Sequence, residues 1–524
     1  MFLWRVLLIV IVFASFFGKP GVAEDIDDYY PIVSIFTPES RTASRSENWK
    51  PAPDGLALEV SGMAQLPDGR LAVAIRKGEI WILDGVNDVP PDNVTYQKFA
   101  SGLHEPLGLL WHNDSFYTVQ RSELTRIRDR DGDGIADDYE TVVTGWGLTG
   151  HYHEYAYGPE LDGQGNLWLT LNIGLGLKGD QLKKTIQDPT LGYRQARWRG
   201  WGMQVDLENR KLIPVCAGMR SPSGIGSNAE GDMFYTDQQG NWVATNSLHH
   251  MREGAFFHHA EALASMSEPG SPIHGIKSVP NGIPFPRAIK NLPQMVPPAV
   301  WFPYKKVGQS VTDIVLDASD GKFGPFSGQL FVGEFTLASI HRVFLEKVDG
   351  EYQGACFPFR DRMASAVLRL EQAQDGSLFA GLSNRGWSSL GTSSYGLQRV
   401  MWTGRVPFEI QEMSALNDGF RLTFTQEVDP ATAGDVSSYE MNSFTYLYQS
   451  SYGSEEIQNE QLTITSAEVS DDRLSVKLTV EGMRELFVHE LNARGIRSAD
   501  GKPLLHPDAY YTLNRIPKVI AREN

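Results

Sequence analysis

The chain has 524 residues, 41% of them hydrophobic and 21% charged, which excludes a largely disordered protein. Its net charge of −17 argues against nucleic-acid binding, because that function needs a basic surface to displace the counterions of the phosphates. The many glycines (51) and tryptophans (12) and the low cysteine content favour a large all-β protein. The presence of only two cysteines argues against a thiolate zinc site, a disulfide framework or a covalently attached haem. The sequence leaves open whether Cys216 and Cys356 pair.

The first 23 residues have the pattern of a secretory signal peptide. Arg5 precedes a twelve-residue apolar run, residues 6–17, that is too short to span a bilayer comfortably. The small residues before Glu24 suit a signal peptidase. We therefore expect an exported protein, periplasmic or extracellular, with no transmembrane segment after the signal is removed. The alternative is an uncleaved amino-terminal anchor.

A pattern recurs six times along residues 50–404. Each copy has a short apolar stretch, then a tight turn that often contains Asp-Gly, then a strand of alternating apolar residues. Asp-Gly supplies the positive φ of a hairpin turn, and the alternation gives each strand one buried face. The strands that follow the six turns lie at residues 71–75, 116–119, 167–170, 233–236, 330–333 and 378–381.

Such hairpins cannot bury their apolar faces alone, so units at this spacing must stack on one another. We therefore predict an all-β fold with a six-bladed β-propeller over residues 24–404. A large β-sandwich with repeated hairpins is the alternative. A proline-rich stretch at residues 269–298, between the fourth and fifth copies, is predicted to be a long insertion over one propeller face.

Residues 129–140 have the oxygen-ligand spacing of a twelve-residue calcium loop. Carboxylates fall at positions 1, 3, 5, 9 and 12, Gly134 is at position 6, and the residue at position 7 can offer its carbonyl oxygen. The predicted calcium ligands are Asp129, Asp131, Asp133, Ile135, Asp137 and Glu140. Because the flanking pattern is β rather than helical, the ion is expected to stabilise a propeller connection. A solvated acidic loop is the alternative.

Two polar segments lie where propeller loops carry ligands. His151 and His153 are two residues apart before the third hairpin, so one of them could act as a base or both could meet a metal ion. Arg220, at the start of the fourth copy, could clamp an anionic group. The plain alternatives are hydrogen-bonded loop histidines and a surface salt bridge.

After residue 404 the pattern changes to alternating strands of the number and length found in immunoglobulin domains. We predict a small immunoglobulin-like β-sandwich at residues 405–515, which packs or adheres and has no site of its own. Residues 516–524 are predicted to be a tail.

The propeller part resembles the glucose/sorbosone dehydrogenase family, and more closely the secreted planctomycete-type dehydrogenase-like propellers. The resemblance covers nearly all of residues 50–404. Its most specific motifs are Lys322 to Gly333 and Asn384-Arg385-Gly386-Trp387. Other matching stretches are residues 103–109, 129–140, 147–150, 153–154 and 220–224.

The resemblance implies a fold of six blades and the oxidation of sugars or alcohols with calcium and pyrroloquinoline quinone (PQQ). It implies that His153 is the general base, and that Arg220 and Gln239 contact the cofactor, with Asn384 and Arg385 beside them. It also implies a carbohydrate or polyol substrate and a separate electron acceptor, since the chain has no haem motif.

The sequence departs from the family at two places. Ser221 follows Arg220 where the sugar dehydrogenases have asparagine, and no acidic pair follows Gln239 and Gly240. Two hypotheses therefore stand: a quinone-dependent sugar or alcohol dehydrogenase, and a non-catalytic propeller that binds carbohydrate or a cell-surface partner.

Overall fold

A computed structural model describes residues 24–36, 56–174 and 196–518 of the chain. Strands dominate these residues and the helices are few and short, so the predicted all-β class is confirmed. The predicted signal peptide, residues 1–23, lies outside the described residues.

Five separate four-stranded antiparallel sheets are arranged as propeller blades, which we number in chain order. Blade 1 contains β2 (Val60–Gln65), β3 (Leu71–Ile75), β4 (Glu79–Asp84) and β5 (Thr95–Ala100). Blade 2 contains β6 (Leu110–His112), β7 (Ser115–Val119), β8 (Leu124–Arg128) and β9 (Asp138–Val143). Blade 3 contains β10 (Ala156–Leu161), β11 (Leu167–Leu171), β12 (Trp201–Asp206) and β13 (Lys211–Ala217).

Blades 4 and 5 each contain a strand from a distant part of the chain. Blade 4 contains β14 (Gly224–Ser227), β15 (Met233–Asp237), β16 (Asn246–His250) and β18 (Val300–Phe302). Blade 5 contains β23 (Val367–Gln372), β24 (Leu378–Ser383) and β25 (Tyr395–Val400), and its outer strand is the amino-terminal β1 (Ile32–Phe36). The proline-rich insertion therefore lies inside blade 4, between its third and fourth strands, and not between two blades.

The prediction of six separate blades is wrong. The strands of the fifth sequence copy belong to an eleven-stranded sheet, which we call the extended sheet. In spatial order it contains β19 (Val311–Leu316), β20 (Leu330–Glu334), β21 (Ser339–Val348), β22 (Glu351–Arg360), β33 (Asp508–Leu513), β32 (Phe487–Asn492), β28 (Glu440–Thr445), β30 (Ile457–Val469), β31 (Ser475–Glu481), β27 (Gly419–Phe424) and β26 (Ile410–Leu416). The outer edge of β22 does not end a blade, because it pairs with β33.

A separate immunoglobulin-like sandwich is not seen in the described residues. The strands after residue 404 continue the extended sheet, and one apolar core joins Ala355 and Phe357 of β22 to Phe420 and Tyr511 of the carboxyl-terminal strands. The remaining elements are the paired strands β17 (Ile283–Pro284) and β29 (Leu447–Tyr448), helices α1 (Phe285–Asn291) and α2 (Pro430–Ala433), and 3-10 turns at Ile26–Asp28, Ala260–Ser265 and Val436–Ser438.

The inner strands of the blades and β19 contact one another in a closed ring around a central axis. Arg369 lies at this axis and is almost fully buried. Its guanidinium donates hydrogen bonds to the backbone carbonyls of Ser61 (2.9 Å), Ser223 (3.0 Å) and Leu107 (3.3 Å). One side chain of blade 5 therefore ties together the inner segments of blades 1, 2 and 4.

Candidate functional site

A cavity of about 390 Å³ lies on one face of the ring. Its walls are formed by residues at or just before the start of the inner strands and at or just after the end of the second strands. Each sheet of the ring therefore contributes side chains to the same face. The polar and aromatic residues of the wall include Glu59, Arg76, Tyr152, His153, Tyr155, Asn172, Ser221, Gln238, Arg385 and Trp387.

His153 is buried at the wall of this cavity, just before β10. Its Nδ1 atom lies 3.1 Å from the carbonyl oxygen of Ile173, and its Nε2 atom lies 3.3 Å from Oγ of Ser221. Nδ1 also lies 3.3 Å from Nδ2 of Asn172, but the Ile173 carbonyl is closer and can only accept, which favours a proton on Nδ1 and leaves Nε2 as the acceptor atom. The imidazole is thus held in the tautomer that a general base requires.

The pKa of His153 is lowered to about 4. Burial is the largest cause, because it penalises the charged imidazolium; the bond to the Ile173 carbonyl opposes this effect, and the nearby Arg220 adds to it. His153 is therefore neutral at physiological pH.

Asp237, at the end of β15, fixes the loop that contains Arg220 and Ser221. Its carboxylate accepts N–H bonds from Ser221 (2.7 Å), Arg220 (2.9 Å) and Gln238 (3.0 Å). Burial raises the pKa of Asp237 to about 6, although these N–H bonds and the charge of Arg220 act in the opposite direction. This carboxylate positions the residues at the cavity wall and is itself fully buried.

Arg220 is nearly buried, and among the described residues its guanidinium has no hydrogen-bond or ion-pair partner. Its Nε atom is a buried donor without an acceptor. The ring of Tyr452 lies over it, with 5.4 Å between Cζ and the ring centroid. Asn172 also has a buried, unpaired Oδ1 atom close by, while its Nδ2 atom donates to the His153 carbonyl (2.9 Å). These unpaired polar atoms adjoin the cavity wall.

Gln239 does not line the cavity. It is buried, its Nε2 atom donates to the Ala244 carbonyl (3.2 Å), and Gly453 of the carboxyl-terminal segment packs against its side-chain amide. Of the four predicted cofactor contacts, only Arg385 is part of the cavity wall. Asn384 instead closes its own loop, because its Nδ2 atom donates to the Ser393 carbonyl (3.3 Å).

The rim of the cavity has paired charges and exposed aromatic rings. Arg385 contacts Glu59 (2.7 Å), and Arg76 donates to the hydroxyl of Tyr155 (2.7 Å). Arg76 also pairs with Glu105 (2.9 Å), which lies outside the wall. The indole of Trp387 is 70% exposed, so a large apolar surface borders these hydrogen-bonding groups.

The predicted calcium loop joins β8 to β9 of blade 2. Carboxylate oxygens of Asp129, Asp131 and Asp137 lie within 4.8 Å of one another, close enough to share a cation. Asp133 instead accepts the backbone N–H of Ile135 (2.8 Å).

The structure does not bring Glu140 to this carboxylate group. Glu140 lies in β9, and its carboxylate pairs with Arg126, Arg128 and Arg210. The spacing in the sequence could not predict this position of Glu140, because it does not show that arginines on the neighbouring strand β8 bind the same carboxylate.

Sequence reasoning overlooked several site residues. Arg76, Asn172 and Asp237 each end or follow the second strand of a hairpin, so aligning the six copies would have revealed a polar residue recurring at this position. No such signal exists for Tyr452, because 232 residues separate it from Arg220 and only the folded chain brings them together. The two cysteines, Cys216 and Cys356, are both free and buried.

The sheet arrangement defines the chain as a β-propeller protein with a carboxyl-terminal extension of one sheet. The chain belongs to the family described as a domain of unknown function, DUF7133, whose model matches residues 60–353. No curated protein matches the chain. Within residues 24–36, 56–174 and 196–518, no helix has both the length and the apolar character needed to cross a membrane.

Several solved structures are similar to the chain at low sequence identity. An oxidoreductase described as a glucose dehydrogenase from Thermus thermophilus is 14% identical, with 71% of this chain and 100% of that chain covered and a TM-score of 0.47. The PQQ-bound aldose sugar dehydrogenase from Streptomyces coelicolor is 14% identical, with 70% and 98% covered and a TM-score of 0.42. The soluble aldose sugar dehydrogenase from Escherichia coli is 12% identical, with 65% and 96% covered and a TM-score of 0.44.

Proposed function

We propose that the cavity binds a carbohydrate or polyol and oxidises one of its hydroxyl groups with the help of PQQ. The observation that carries this proposal is the neutral His153, whose acceptor atom Nε2 is directed to the Ser221 hydroxyl at the cavity wall, next to an unpaired arginine. Paired charges and an exposed indole at the rim suit a ligand with many hydroxyl groups and apolar C–H faces.

The residues at the wall and directly next to it fit an anionic cofactor in part. Arg220 offers an unpaired guanidinium of the kind that binds a carboxylate, and PQQ has carboxylates. Asn172 offers an unpaired amide oxygen to a donor group. Gln239 and Asn384 do not contribute, since both already have partners elsewhere. Arg220, next to the wall, would hold a carboxylate of the cofactor, whereas Arg385 at the wall would first have to leave its pair with Glu59.

In this site His153 would accept the proton of the sugar hydroxyl at Nε2, once that hydroxyl replaces the Ser221 hydroxyl as the donor to this atom. The Ile173 carbonyl keeps the Nδ1 proton and so maintains the reactive tautomer. When bound, PQQ supplies a hydride acceptor. Asp237 holds the backbone of Arg220 and Ser221, so the position of both groups is set before any ligand binds.

The deciding experiment adds PQQ and Ca²⁺ to the purified protein and follows dye reduction with a panel of aldoses and polyols. We expect PQQ to bind and at least one sugar or polyol to be oxidised. If PQQ does not bind by calorimetry, the dehydrogenase proposal is wrong. Sugar binding without PQQ binding would favour the second candidate, a carbohydrate-binding propeller, for which the exposed Trp387 at the rim is the supporting observation.

The acid limb of kcat/KM should report the lowered pKa of His153. A general base must be unprotonated, so activity falls as pH falls through the pKa of the free enzyme. We expect this fall near pH 4, since burial lowers the pKa of His153 to about that value, rather than near 6.5. The measurement is kcat/KM from pH 3.5 to 8. A limb at pH 6 to 7 would show that a group other than His153, such as the positioning carboxyl of Asp237, controls the activity.

We also propose that the loop at residues 129–140 binds calcium and stabilises blade 2. A chelator should then lower the melting temperature, because a ligand held only by the folded state contributes about 2.7 kcal/mol at 100 times its Kd. We expect Asp131→Asn to lose this response and Glu140→Gln to retain it, since Glu140 pairs with arginines. A melt unchanged by the chelator, with no calcium by elemental analysis, would contradict the proposal.

We further propose export of the chain to the periplasm or the cell exterior, with electrons leaving through a separate acceptor. Support comes from the amino-terminal sequence pattern and from the lack of a haem-attachment motif. Amino-terminal sequencing of the mature protein tests the export, with Glu24 expected as the first residue.

A further inference from the structure

A short loop of the carboxyl-terminal segment, residues 449–454, lies on the turn that follows β15 of blade 4. Trp242 donates its backbone N–H to Gln449 (3.0 Å), and Gly453 donates to Gly240 (3.0 Å). Ser454 donates to Ala244 (2.8 Å). The loop backbone is therefore pinned to the propeller at three places, immediately beside the predicted cofactor residues.

Side chains of the turn approach both glycines in this contact closely. Gly453 has a φ of 64°, and a Cβ atom there would lie 2.8 Å from Nε2 of Gln239. A Cβ atom on Gly240 would lie 1.8 Å from Nε of Arg220. The Arg220 side chain thus lies flat on the backbone of Gly240, and the ring of Tyr452 lies over its guanidinium.

Tyr452 is largely exposed to solvent although the loop that bears it is fixed. The side chain is 65% exposed, so one face of the ring contacts Arg220 and most of the rest contacts solvent. Rotation about its χ1 angle would uncover the guanidinium without breaking any of the three backbone hydrogen bonds. A cation–π contact that includes solvent-exposed ring surface is weak, and an anion competes with it effectively.

We propose that Tyr452 controls access to Arg220: its ring covers the unpaired guanidinium, and a carboxylate-bearing ligand must displace it to bind. The carboxyl-terminal segment is then part of the site and not the separate module that the sequence suggested. The control of access follows from the contacts of Arg220 alone. Only the identity of the anion, PQQ, rests on the proposed function.

The first test measures access without any ligand. Phenylglyoxal modifies exposed arginines, and mass spectrometry reports the rate at Arg220 in the full-length protein. We expect Tyr452→Ala to raise this rate about two- to fivefold, the factor that corresponds to an exposed cation–π contact. Tyr452→Phe keeps the ring and should react like the wild type. The matched control is Tyr304→Ala, since Tyr304 is an exposed tyrosine beside a different cation, Lys305, and its removal should leave Arg220 unchanged.

An unchanged rate in Tyr452→Ala would overturn the proposal, because the ring would not then be the barrier. A raised rate in Tyr452→Phe would overturn it too, since the hydroxyl and not the ring would be responsible. Circular dichroism and thermal melting show whether each variant is folded. Modification of other buried arginines, such as Arg199, shows whether the whole chain has loosened, because a general loosening would speed their modification too.

The second test follows PQQ binding by stopped-flow fluorescence. We expect association to be about two- to fivefold faster in Tyr452→Ala and unchanged in Tyr304→Ala. Weaker binding in Tyr452→Ala would mean that the ring holds the ligand and does not cover its site, which contradicts the proposal. If no variant binds PQQ, the proposed function fails while the modification experiment still decides the role of Tyr452.

Discussion

Replacing His153 by alanine should lower the rate of sugar oxidation by about 10²- to 10⁴-fold, the range that a positioned general base contributes. The loss should fall on kcat, because the imidazole acts on the proton of the bound hydroxyl. We expect the melting temperature to change little, since the backbone bond from Nδ2 of Asn172 to the carbonyl of residue 153 is kept in the variant and Asp237 independently fixes the neighbouring Ser221. The measurement is steady-state kinetics of the PQQ-loaded protein beside a thermal melt.

The matched control is His151→Ala. His151 lies two residues away but does not line the cavity, although its Nδ1 atom accepts the backbone N–H of His153 (3.2 Å). We expect the loss of rate in His151→Ala to be at most about one tenth of the loss in His153→Ala. Equal losses in the two variants would mean that the loop, and not the imidazole, was damaged. An unaffected rate in His153→Ala would place the base elsewhere in the cavity.

Replacing Gly108 by alanine should destabilise the propeller more than a change at almost any surface position. Gly108 leads into the inner strand of blade 2 with a φ of 140°, and a Cβ atom there would lie 2.4 Å from the carbonyl oxygen of Gly158. Backbone strain and a clash with a neighbouring inner strand act together, so we expect the free energy of unfolding to fall by about 3 kcal/mol or more. Chemical denaturation measures the loss.

Gly102→Ala separates the two contributions. Gly102 also has a positive φ, 81°, but no atom lies within 4 Å of the position of its Cβ atom. This control therefore carries the backbone cost without the clash, and we expect a loss of about 1 kcal/mol. If the two variants lose equal stability, close approach of the inner strands is not what requires Gly108.

The sequence predicted the repeating part of the fold because hairpin turns and alternating strands are local features. The strand that begins at Leu71, for example, and the turn before it were both read directly from residues next to each other. The sequence did not predict that the outer edge of β22 is covered, because its partner β33 lies about 150 residues further along the chain. An edge strand and a central strand have the same alternation, so nothing local shows whether the edge is covered.

The candidate site divides in the same way. His153 was predicted from its place before the third hairpin and from the family resemblance; Ser221, noted in the sequence only as a departure from the family, lies beside it at the cavity wall. Asn384 and Gln239 were expected to contact a cofactor, but their amide groups already have backbone partners. An amide side chain has several donors and acceptors, and its residue type alone does not tell which of them are satisfied.

The outer strand of blade 5 has a consequence for the order in which the protein forms. β1 pairs with β25 in a register that joins Ile32 to Val400 and Val33 to Arg399, so the earliest described strand waits for a partner synthesised more than 360 residues later. Contacts of such sequence separation close slowly, because the entropy of a long loop must be lost before any bond is gained. Until then blade 5 has three strands and an open edge, and a chain released in that state is the form most exposed to pairing with another molecule.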